Sequence, residues 1–264
     1  MTPPPVLFIH GLWLHATSWD PWLEVFAQAG YEASAPGWPG DPATVAEARE
    51  HPQAMADHGI DDVVAHYAKI IADLGAKPIL IGHSFGGMIA QKLLGQDLAA
   101  ATVAIDAAQI KGVLPVPLSA LRATLPVFRN PANKHRTVAL TAEQFRFAFG
   151  NAIPAEESDA LFDRWAIPSP GKPLFEAVAA NFDPHSPAKV DTENSGRGPL
   201  LLMMGGKDHT VPEAVTKSTL KQYRHSDAVT DIVEFADRAH SLTIDHGWRE
   251  VADAALTWLH AQSL

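Results

Sequence analysis

The sequence predicts an α/β fold: a mostly parallel sheet of about six strands, helices on both faces, and an inserted helical cap. Three features of the 264 residues predict it. Short apolar runs alternate with segments of helical periodicity at both ends of the chain. The run at 78–82 is apolar throughout, as a strand buried on both faces requires. Between residues 109 and 190 the runs stop, and Pro-punctuated helical pieces rich in phenylalanine replace them. Alternating strands and helices imply a parallel sheet, and the interruption implies an insertion. The expected division is a core of residues 1–108 and 191–264 and a cap of residues 109–190.

The elements follow in order. Residues 6–10 form the first strand, after a Pro cluster. A helix is expected over 18–30, with Ser18 as N-cap and Gly30 as its stop. Residues 31–35 suit a second strand. Over 61–74, Val63, Val64, Tyr67, Ile70, Ile71 and Leu74 share one helical face, and Gly75 ends it. Residues 78–82 form a fully apolar strand, 86–95 a helix and 101–106 another strand. After the Phe-rich middle, strands at 200–204 and 230–235 flank a helix near 212–224. The final helix runs over about 247–260.

Composition excludes several classes. Apolar residues make up 47% and charged residues 19%, so the chain is globular and not disordered. The net charge of -10, without a basic block, argues against nucleic acid and against anionic membranes as partners. With no cysteine there is no disulfide, thiolate nucleophile or Cys-ligated metal. The N-terminus lacks a signal-peptide pattern, and no apolar run approaches the ~18–20 residues of a membrane span. The expected location is the cytoplasm; the sequence does not define an oligomeric state.

The strongest local signal is Gly82-His83-Ser84-Phe85-Gly86, followed by Gly87. This G-x-S-x-G pattern falls between an apolar strand and a helix, where a nucleophile elbow exposes a serine hydroxyl. The competing structural reading is a Gly-rich turn packing a helix tightly on a strand. Asp208, in Gly205-Gly206-Lys207-Asp208, lies just past an apolar strand, where parallel strands open a ligand crevice. A carboxylate there can hold a histidine in its productive tautomer. Asp106, at the end of another strand, is the alternative acid; its competing reading is a helix cap or a pocket-wall carboxylate. Of 13 histidines, His240 follows a strand and short turn, and an imidazole with an unperturbed pKa of about 6.5 suits a general base. His246 is its nearest competitor, and His209 could serve only if the acid were elsewhere; His83, inside the elbow, reads as a packed residue. No phosphate-binding or metal-ligating motif is present, so neither cofactor nor metal is expected.

With His10-Gly11 after the first strand, the elbow, Gly205–Asp208 and Ala239-His240, the chain resembles the α/β-hydrolase superfamily over nearly its whole length. The likeness is to its capped esterase/lipase-like serine hydrolases, and Ser84…Asp208…His240 has that fold's order of triad residues. The resemblance implies an oxyanion hole from the main-chain N–H groups of Leu12 and Phe85. It favours Asp208 as the acid, although some members supply it from the strand that carries Asp106. One departure is that members often begin with an antiparallel hairpin, whereas this chain starts almost directly on the His-Gly strand. Trp13, Phe128 and Trp165 are candidate pocket walls, with core packing as the competing reading. The implied activity is cofactor-free cleavage of a small-molecule carboxylic ester or lactone through an acyl-enzyme on Ser84. Rivals are a C–C bond hydrolase or lyase, or a perhydrolase, on the same triad. A rival from another class is a small-molecule receptor on a hydrolase scaffold.

Overall fold

The computed structural model describes residues 3–115 and 117–264. Its elements are β1 (Val6–Ile9), α1 (Asp20–Gln28), β2 (Ala33–Ser34), α2 (Val45–Glu50), α3 (Ile60–Leu74), β3 (Ile79–His83), α4 (Phe85–Gly95) and β4 (Ala101–Ile105). After β4 come α5 (Leu118–Phe128), β5 (Thr137–Val138), α6 (Ala142–Ala148), α7 (Ala155–Trp165), β6 (Ser169–Pro170) and α8 (Lys172–Ala179), the segment expected to be an insertion. The chain returns through β7 (Leu200–Gly205), α9 (Glu213–Gln222), β8 (Thr230–Phe235) and α10 (Trp248–Ala261). No helix among the described residues is long and apolar enough to cross a membrane.

Six strands pair in the order β2-β1-β3-β4-β7-β8, every pair parallel. Side chains alternate across a strand, and here both sides are buried. Val6 and Phe8 of β1 pack with Trp19, Trp22 and Phe26 on one face. Leu7 and Ile9 pack with Val63, Tyr67 and Met88 on the other. This two-sided burial is why the strands read as continuous apolar runs. The edge strands β2 and β8 are the exceptions, with Ser34, Asp231 and Glu234 exposed; charge on an edge discourages further pairing. The chain leaves β1 toward β2 on one side and resumes at β3 on the other. That reversal opens a crevice beyond the carboxyl ends of β1 and β3.

Several details depart from expectation. The helix over 18–30 begins as a 3-10 turn, Ala16–Trp19, capped by the His15 side chain, and Ser18 is buried within it. The second strand is only two residues long, because Pro36 soon follows and offers no N–H to a ladder. Leu74, the last residue of α3, is exposed beyond the packed part of its face. The insertion also contains an antiparallel ribbon, β5 against β6. Most of its phenylalanines pack against each other: Phe128 meets Phe175 edge-on at 5.1 Å, and Phe145 meets Phe162 at 5.6 Å.

Candidate active site

Ser84 joins β3 to α4 with φ 55° and ψ -121°, a region that L-residues rarely occupy. Neighbouring main chain over-determines this strained turn. The Ser84 N–H donates to Ile105 O at 2.9 Å, and Ser84 O accepts from Ala108 N–H at 2.9 Å. Two glycines allow the crowding. A Cβ on Gly86 would stand 2.0 Å from Ile9 O, and one on Gly11 would stand 2.7 Å from Ser84 Cβ. The loop after β1 therefore lies directly against Ser84. The N-terminus of α4 begins there, and its dipole favours negative charge beside the hydroxyl. Among the described residues, the main-chain N–H groups of Leu12 and Phe85 meet no protein acceptor. Replacing Gly11 by alanine is expected to push this loop off Ser84 and lower kcat by about 10²-fold, the scale of one lost oxyanion donor. Steady-state kinetics, with circular dichroism to confirm folding, checks this.

His240 is fully buried, and its Nδ1 donates to Asp208 Oδ2 at 2.6 Å. Asp208 Oδ1 accepts from the N–H groups of Thr210 at 2.6 Å and Val211 at 2.8 Å, which fixes the carboxylate's direction. His240 Nε2 is buried and unpartnered, so a hydrogen bond to the Ser84 hydroxyl is not made in this conformation. Catalytic hydrogen bonds often tighten only when substrate is present. Asp106 is nearby too, with Oδ2 4.0 Å from His240 Nδ1. The competing histidines are occupied elsewhere: His246 Nδ1 pairs with Glu157 at 2.9 Å, and His209 Nδ1 donates to Phe147 O at 3.0 Å.

His83, which the sequence suggests is only a packed residue, braces the site. Its Nε2 donates to the main-chain oxygen of His240 at 2.9 Å, and the two rings lie 4.5 Å apart. Burial holds its pKa well below the ordinary imidazole value, so the ring is neutral. His10 anchors the first loop, pairing with Asp41 at 2.8 Å while its main-chain O accepts from Trp38 Nε1 at 3.0 Å. One group of possible metal donors, His83, Asp106 and His240, falls within 4.8 Å among the described residues. One nitrogen of each histidine is committed, His83 Nε2 to the His240 carbonyl and His240 Nδ1 to Asp208, while His83 Nδ1, His240 Nε2 and Asp106 Oδ2 have no partner.

A cavity reaches Ser84 and Phe85 from the insertion side. Leu121, Thr124 and Phe128 of α5, Leu174, Ala177 and Val178 of α8, and Val211 and Val215 near α9 line it. Its lining contains no charged side chain among the described residues. Phe128 thus stands where a pocket wall was expected. Trp13 and Trp165 do not. Trp13 is buried at φ 66°, donates Nε1–H to Val138 O at 3.0 Å, and lines a different cavity with Arg49 and Leu140. Trp165 is buried in the core with the Arg164 guanidinium 4.4 Å from its ring centre. Large aromatics fill volume wherever the core offers it, and sequence spacing does not distinguish that from a pocket wall.

Comparison with known proteins agrees with this architecture. A model of the alpha/beta hydrolase family matches residues 6–254, and the chain belongs to that family. No curated protein sequence matches it. Among solved structures, the Paleococcus ferrophilus monoacylglycerol lipase superposes with a TM-score of 0.66 at 22% identity, covering 97% of this chain and 95% of that one. An Arabidopsis methylesterase gives 0.68 at 16% identity, covering 97% and 99%. A pyrethroid hydrolase from Sphingobium faniae gives 0.68 at 18% identity, covering 99% of each chain. At these identities the likeness is one of fold.

Proposed function

We propose that this hydrolase cleaves a neutral carboxylic ester or lactone through an acyl-enzyme on Ser84. The observation that carries the reading is the Asp208–His240 pair, 2.6 Å and fully buried, with the His240 ring 4.5 Å from that of His83, the residue preceding a strained serine at a strand-to-helix turn. His240 Nε2 takes the Ser84 proton as Oγ attacks the carbonyl carbon, then delivers it to the departing alkoxide. Asp208 keeps the proton of the imidazole on Nδ1, which leaves Nε2 free to accept. The N–H groups of Leu12 and Phe85 hold the carbonyl oxygen as it becomes negative. Water, activated by His240, then releases the acid and restores Ser84.

Residues 109–190 act as the cap over this centre in our reading, since α5 and α8 supply most of the apolar wall facing Ser84. An apolar cavity without a charged wall favours an uncharged, hydrocarbon-bearing substrate. Turnover of p-nitrophenyl esters of increasing chain length tests the activity; binding without turnover would favour a receptor instead. Filling the cavity by Ala177→Phe is expected to reduce kcat/KM for longer acyl esters by about tenfold or more, leaving acetate within about threefold. Equal losses across the series would show that the cavity does not take the acyl chain.

A further inference from the structure

Two carboxylates face the imidazole of His240. Asp208 Oδ2 is 2.6 Å and Asp106 Oδ2 is 4.0 Å from Nδ1, and all three side chains are fully buried. Their hydrogen-bond supply is unequal. Asp208 accepts from Thr210 N–H, Val211 N–H and His240. Asp106 accepts one bond, from Gly205 N–H to Oδ1 at 2.7 Å. Its Oδ2 is buried without a partner, and it converges with Asp208 Oδ2 on the same imidazole nitrogen. Two carboxylates cannot bond one another, since ionised oxygens only accept; once one is protonated, they can. The backbone holds Asp106 in this place, with φ 41° and its N–H donating to Met203 O at 2.8 Å.

We propose that Asp106 is a positioning residue that carries a proton on Oδ2 and donates it to the Asp208 carboxylate, so that His240 faces an acid pair with a single negative charge. The proposal rests on Ser84, His240 and Asp208 acting as the triad. Three donors stabilise charge on Asp208 against one on Asp106, which decides where the proton stays. Burial, with the Asp208 charge beside it, pushes the Asp106 carboxyl well above its ordinary 3.8, in the same direction. The surrounding groups supply no permanent cation. His83 is neutral, His10 is paired with Asp41, and the only ion-pair partner of Asp106 among the described residues is His240 itself. The arrangement has a catalytic consequence. Two ionised carboxylates would hold the imidazolium too strongly to return its proton to a leaving group; a single charge orients the ring and leaves it able to cycle.

Two variants separate this from a structural role. Asp106→Asn keeps an acceptor for Gly205 N–H and offers an N–H where the proposed O–H stands. Asp106→Leu keeps bulk and offers neither. With the full chain and a p-nitrophenyl ester, D106N is expected to keep kcat within about threefold, and the acidic midpoint of kcat/KM is expected to stay within about 0.3 pH unit. D106L is expected to lose about tenfold or more in kcat, with KM little changed. If Asp106 were ionised, D106N would remove a charge that supports the imidazolium, and the midpoint would fall by about one unit or more; that result overturns the proposal.

A second measurement needs no turnover: urea unfolding of the wild type and D106N between pH 4 and 7. The unfolded chain releases this proton near 3.8, whereas the folded chain keeps it. Above that pH the folded state binds more protons, so wild-type stability falls relative to D106N as pH rises. The gap between the two is expected to widen in favour of D106N. A gap constant with pH overturns the proposal, whether or not the protein hydrolyses esters.

Discussion

Replacing Ser84 by alanine is expected to lower kcat for ester hydrolysis by up to about 10⁶-fold, the scale seen when a triad nucleophile is removed. The loss is that large because the remaining groups act on Ser84 and through it. His240 Nε2 has no hydrogen-bond partner, and in the proposed mechanism the N–H groups of Leu12 and Phe85 would stabilise only the oxyanion that attack by Ser84 creates. The fold should survive. Ser84 is held through its main chain, by Ile105 O and Ala108 N–H, and these bonds do not involve the hydroxyl. Full activity in Ser84→Ala would remove the nucleophile from the account, whereas loss of the circular dichroism spectrum would leave the kinetics uninterpretable and call for Ser84→Cys.

The second large effect is expected at Asp208. Asp208→Asn should cost about 10⁴-fold in kcat, as when a triad acid becomes an amide. An asparagine anchored by Thr210 and Val211 through its oxygen would turn an N–H toward His240 Nδ1. That forces the imidazole proton onto Nε2, where it blocks proton transfer from Ser84. Asp106→Asn should cost no more than a few-fold by comparison, although its carboxyl is only 4.0 Å from the same nitrogen. With Asp208 altered, Asp106 is the remaining carboxylate in reach, so adding Asp106→Asn to Asp208→Asn should lower the residual rate further. The reversed order of single-variant losses, Asp106 above Asp208, would reassign the acid.

The parts legible in the sequence are those where local physics restricts the residue type. A strand buried on both faces must be apolar throughout, so β1, β3, β4 and β7 can be read directly. A turn in which a Cβ would meet a carbonyl at 2.0 Å must carry glycine, so the elbow announces itself. A helix such as α3 needs its apolar residues at 3.6-residue spacing and a left-handed residue at its end, which Gly75 supplies at φ 68°.

Contacts between distant positions leave no such trace. Asp106 reaches Gly205 across 99 positions because β4 and β7 are adjacent in the sheet, and His83 reaches the His240 carbonyl across 157 because the loop after β8 returns over the ends of β7 and β4. Each residue looks ordinary in its own segment, so an aspartate at a strand end reads equally well as acid, cap or wall. The same holds for Trp13 and Trp165, whose surroundings are set by how the insertion folds back on the core.

The most direct test of the central claim is covalent labelling with a fluorophosphonate, followed by peptide mapping. One adduct is expected, on Ser84, absent in Ser84→Ala and much slower to form in His240→Ala. A stable adduct on another residue, or no adduct under conditions where the protein is folded, would contradict it.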